Sequence, residues 1–83
     1  MKDIEIVIEK VLEANSSVEV EQLVAKHPGD DDGLWFFKLD EIEAQVESST
    51  GMEPFLVEGL EKDQVKNDSD VETTVHLILK WLK

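Results

Sequence analysis

The sequence predicts a small α+β domain of order α-α-β-β-β-α: two N-terminal helices, a three-stranded antiparallel meander, and a C-terminal helix packed on the sheet. Three observations predict it. Apolar residues recur at helical spacing near both ends of the chain. In the middle, around residues 34 to 58, the period drops to two. The length, 83 residues, is that of one domain, residues 1–83. A chain of this size hides only about 60–65% of its unfolded surface, so its core is thin.

The first helix is predicted over residues 4 to 14. Ile4, Ile6 and Ile8 alternate like a strand, but Ile4, Val7, Ile8, Val11 and Leu12 match a helical stripe for longer. Glu5, Glu9 and Glu13 line the opposite side, and Asp3 is the expected N-cap. A second helix is expected after "ANSS". Ser16 and Glu19 have capping-box spacing, and Val20, Leu23 and Val24 form a short stripe that ends by His27, before Pro28.

"HPGDDDG" reads as a loop, followed by "LWFFKL", "IEAQVES" and "FLVE" as strands. A turn at Asp40-Glu41 makes Leu39 face Ile42, Phe37 face Ala44 and Trp35 face Val46, with Lys38 opposite Glu43 as a charge pair. A turn at Thr50-Gly51 extends the pattern, with Val46 facing Phe55, Ala44 facing Val57 and Gln45 facing Leu56. Pro54 suits the start of an edge strand. Residues 60 to 68 read as loop. The last helix begins near Ser69, which has capping-box spacing to Glu72, and its stripe is Val71, Val75, Ile78, Leu79 and Leu82.

This register divides the aromatic run Trp35-Phe36-Phe37. Trp35 and Phe37 fall on one continuous apolar surface, expected as core under the C-terminal helix. Phe36 falls on the other, with Leu34 and Leu56 among Lys38, Glu43, Glu47 and Glu58. That second face is expected either to be covered by the N-terminal helix pair or to stand open within an acidic rim, which is the anatomy of a protein interface.

Composition narrows the function. Eight lysines, no arginine and 20 acids give a net charge of −12. Such a field repels nucleic acid and anionic membranes, and it attracts basic proteins. With no cysteine there is no disulfide and no thiolate metal site. The acidic N-terminus does not resemble a signal peptide, and no apolar run approaches a membrane span, so a cytoplasmic protein is expected.

Catalytic signals are poor. His76 stands four residues after Glu72, but a surface histidine explains it as well. No nucleophile elbow frames Ser48, Ser49 or Thr50, and a hydroxyl-rich turn accounts for them. Asp30, Asp31 and Asp32 precede Gly33, but the EF-hand pattern fails at its first position, Pro28, and at its last, Leu39. They leave a weak divalent-cation candidate at most. No cofactor is implied.

The expectation is therefore a non-enzymatic interaction module that binds a basic protein through Leu34, Phe36, Glu43, Glu47, Leu56 and Glu58. Its sharpest form is an immunity or inhibitor type, whose carboxylates stand in for phosphate on a basic nuclease. The alternatives are a structural domain, monomer or weak homodimer, with no ligand site, and a weak cation binder at Asp30 to Asp32.

Overall fold

The computed structural model describes residues 2–23, 33–48 and 51–82. Among them, helix α1 (Asp3–Ala14) is followed by strands β1 (Glu19–Leu23), β2 (Gly33–Leu39), β3 (Ile42–Ser48), β4 (Phe55–Glu58) and β5 (Val65–Ser69), and then by helix α2 (Val71–Trp81). The strands form one sheet in the order β1-β2-β3-β4-β5, and every neighbouring pair is antiparallel. The expected α-α-β-β-β-α order is thus corrected to one helix, five strands and one helix.

Residues 19–23 of the predicted second helix form strand β1, and residues 24–27 lie outside the described residues. The sequence here fits both periods, since Val18 and Val20 alternate with Glu19 and Glu21 as readily as Val20, Leu23 and Val24 make a stripe. Local chemistry and pairing decide. The Asn15 side chain accepts the Ser17 N–H at 3.1 Å and its carbonyl accepts the Val18 N–H at 3.3 Å, an Asx turn that ends α1 and sends the chain out extended. Pairing with β2 then supplies the main-chain hydrogen bonds, with Val20 beside Phe37 and Glu21 beside Phe36. No capping box forms at Ser16.

The other new strand, β5, lies in the segment read as loop. Val65 is its single large apolar residue, because an edge strand open to water has no need of an apolar face. β4 is consequently an inner strand, and Pro54 stands just before it instead of opening an edge.

The β2–β3 register agrees with expectation at every pair, including Trp35 with Val46 and Lys38 with Glu43. Asp40 makes the turn at φ 55°, a left-handed conformation that aspartate tolerates better than most residues. The β3–β4 register differs by two residues: Val46 faces Val57, Gln45 faces Glu58 and Glu47 faces Leu56. The connection is longer than a two-residue turn. Ser48 Oγ organises it, donating to the Met52 carbonyl at 2.8 Å and accepting the Gly51 N–H at 3.1 Å. A slip of two preserves which face each side chain occupies, so the expected partition survives the correction.

The core lies on one face of the sheet. Trp35, Phe37, Ala44, Val46, Phe55 and Val57 meet Ile4, Val7 and Val11 of α1 and Ile78 and Leu82 at the end of α2 in a single buried cluster. The helices pack on each other, and α2 lies against β3, β4 and β5. One loop fastens both helix starts. Asp3 Oδ2 accepts the Glu53 N–H at 2.9 Å, Glu53 Oε2 accepts the Val71 N–H at 3.2 Å, and the Gly51 carbonyl accepts the Ile4 N–H at 2.9 Å. Asp3 is therefore a first-turn residue of α1 and not its cap, which is Lys2. At α2 the cap is Asp70, one residue beyond the expected Ser69. Its carboxylate accepts the Thr73 N–H at 2.8 Å, which holds its pKa below the ordinary value.

The α2 stripe contains a polar residue, Thr74, fully buried between Asp70 and Ile78. Its hydroxyl and that of buried Ser69 have no hydrogen-bond partner. An unpartnered buried hydroxyl costs about 1–3 kcal/mol, so Thr74→Val, which keeps the volume, is expected to stabilise the fold by about 1 kcal/mol. For a domain of this size that raises Tm by about 4–8 °C. A lowered Tm on thermal unfolding would show that the hydroxyl is engaged.

Candidate interaction face

With both helices on one side, no element among the described residues packs on the other side of the sheet. Its side chains form three cross-strand ladders. The first runs Leu34, Glu47, Leu56. The second runs Glu21, Phe36, Gln45, Glu58, Val65. The third runs Glu19, Lys38, Glu43. The six residues singled out from sequence, Leu34, Phe36, Glu43, Glu47, Leu56 and Glu58, share this face. Leu34, Phe36 and Leu56 are each partly exposed, and none belongs to the core cluster or packs against it.

The electrostatics follow from the ladders. The three ladders carry five carboxylates, Glu19, Glu21, Glu43, Glu47 and Glu58, and one cation, Lys38. Lys38 Nζ bonds Glu21 Oε2 at 2.9 Å and stands 5.9 Å from the centre of the Phe36 ring. The Glu21 hydrogen bond and charge, followed by Glu43 and Glu19, hold the Lys38 pKa above the ordinary lysine value. Lys38 opposes Glu43 as expected, but its ion pair goes to Glu21, which β1 brings alongside from the other neighbouring strand. Gln45 Nε2, between Phe36 and Glu58 in their ladder, donates to Glu58 Oε2 at 3.3 Å.

Sequence reasoning missed Glu19 and Glu21, and the alternation of residues 18 to 21 was the signal that could have found them. Asp30, Asp31 and Asp32 lie outside the described residues, as do His27 and Thr50. Among the described residues, no group of three or more His, Asp and Glu side chains is placed to hold a metal ion, and no helix is long and apolar enough to cross a membrane. His76 is exposed on α2.

Comparison with known proteins adds no relative. No family model, curated protein or solved structure matches the chain.

Proposed function

We propose that the protein is a non-enzymatic interaction module of the cytoplasm whose open sheet face binds a basic protein. The observation that supports this most is the position of Phe36: a partly exposed aromatic on a face that no helix among the described residues covers, with Glu21 and Gln45 on either side and Glu58 next in its ladder. A buried aromatic anchor within a polar rim is where binding energy concentrates, and the rim charge sets the partner's sign and speeds encounter. The face accommodates a cation within the chain itself, Lys38 on the Phe36 ring and on the Glu21 carboxylate, which supports a basic partner. In an inhibitor-type complex, the partner's arginines and lysines take these carboxylates in place of phosphate. A face-to-face homodimer fits less well, since it brings five carboxylates against five.

The test is capture from native cytosol at low and high salt, with Phe36→Ala beside the wild type. A basic protein should be retained at low salt, released as salt rises, and lost by at least tenfold with Phe36→Ala while the variant keeps its fold. Retention by Phe36→Ala equal to wild type, or concentration-dependent dimerisation through this face, would overturn the reading.

A further inference from the structure

The open face is small for a protein interface. From β1 to β5 it is about 19 Å wide at ~4.8 Å per strand, and three ladders span about 13 Å along the strands. Roughly 250 Å² of projected area falls well short of the ~800 Å² that one partner usually contributes. A partner held here has to reach an adjoining surface.

Two sheet edges adjoin it, and they differ. β5 is irregular: its pairing with β4 shifts between Phe55 and Val57, and Asp68 stands at φ 54°. A bulge twists an edge away from an incoming strand and so opposes its addition. β1 pairs with β2 without interruption from Glu19–Lys38 to Leu23–Leu34, so its outer edge presents a regular row of main-chain donors and acceptors. Among the described residues nothing pairs with that edge.

We propose that the outer edge of β1 is a strand-addition site for an extended partner segment in which basic and apolar residues alternate; this rests on the reading that the partner is basic. The alternation follows from β1 itself. Glu19 and Glu21 project to the open face, where a sixth strand would set basic side chains beside them. Val20 projects to the helix side and packs against the core, where the added strand's apolar side chains would continue it. A second copy of this chain is a poor occupant. Antiparallel pairing of two β1 strands over their full length, about Glu21, sets the two Glu21 carboxylates directly opposite each other. Main-chain bonds supply affinity, and the alternating side chains supply selection.

The probe is a capped eight-residue peptide of alternating arginine and valine, compared with its fully backbone-N-methylated form, which keeps the charge and removes every main-chain donor. The unmodified peptide should bind the full-length protein, protect β1 amides from hydrogen exchange, and lose at least tenfold in affinity on N-methylation. The Glu19→Lys, Glu21→Lys double variant should lose it, while Glu5→Lys, Glu9→Lys on the exposed side of α1, an equal change of charge, keeps it within about twofold. Absence of binding, equal affinity of the methylated peptide, unprotected β1 amides, or a salt-resistant β1–β1 dimer would overturn the edge site. Binding lost with Phe36→Ala while β1 amides stay unchanged would overturn it too, leaving the open-face reading intact. Failure of that reading shows separately, in the cytosol capture.

Discussion

Phe37→Ala is expected to lower Tm by at least about 12 °C, whereas Phe36→Ala, one residue away, leaves the fold in place. Phe37 is fully buried at the centre of the cluster that joins β2 to both helices. Truncating a buried phenylalanine costs about 3–5 kcal/mol, the lost transfer energy plus the cavity left behind. A domain of 83 residues holds only about 4–12 kcal/mol in total, at ~0.05–0.15 kcal/mol per residue. The loss is therefore between a quarter and all of the stability, or a Tm drop of about 12–40 °C. The Phe36 ring touches no core residue, and its removal should cost about 1 kcal/mol or less. Urea unfolding of both variants measures the contrast. If Phe36→Ala proves as damaging as Phe37→Ala, the second face is covered and the interaction reading falls with it.

The same two residues show how far the sequence could be read. Their assignment to opposite faces needed only the period of two and one turn, because Asp40-Glu41 is short enough to fix the register of everything up to Ser48. The two terminal helices were equally legible, since eleven or twelve residues of consistent stripe leave little room for another period. β1 was not legible. Five residues with two apolar positions fit either period, and the choice was made by Asn15 ending α1 and by the free edge of β2, neither of which is local to the strand.

β5 was hidden for a different reason. Its stabilisation is the main-chain ladder to β4, which places no demand on side-chain hydrophobicity. The two-residue error between β3 and β4 came from a side chain, Ser48, organising the loop in a way that turn statistics do not anticipate. For the candidate site, the six residues expected on one face do share it, but the absence of helix cover depended on losing the second helix. Replacing that helix by a strand both widened the face and added Glu19 and Glu21 to its rim.

Gly33→Ala is expected to cost about 1–3 kcal/mol, the range for overpacking a filled core, although it adds a single methyl at the start of a strand. Gly33 is buried, and a Cβ built there overlaps the six-membered ring of Trp35, whose indole lies back along the strand over the glycine. The absence of a side chain is what seats the ring. Trp35 is only 6% exposed and hemmed by the core, so it has no empty neighbourhood to turn into. A double-mutant cycle isolates the contact. In a Trp35→Leu background the colliding ring atoms are gone, and Gly33→Ala should cost at least about 1 kcal/mol less than in the wild type. Fluorescence reports the displacement directly. With Trp81→Phe leaving Trp35 as the sole indole, Gly33→Ala should shift emission to the red as the ring is pushed toward water. Equal cost in both backgrounds, with unchanged emission, would show that the ring accommodates the methyl and that Gly33 serves the backbone instead.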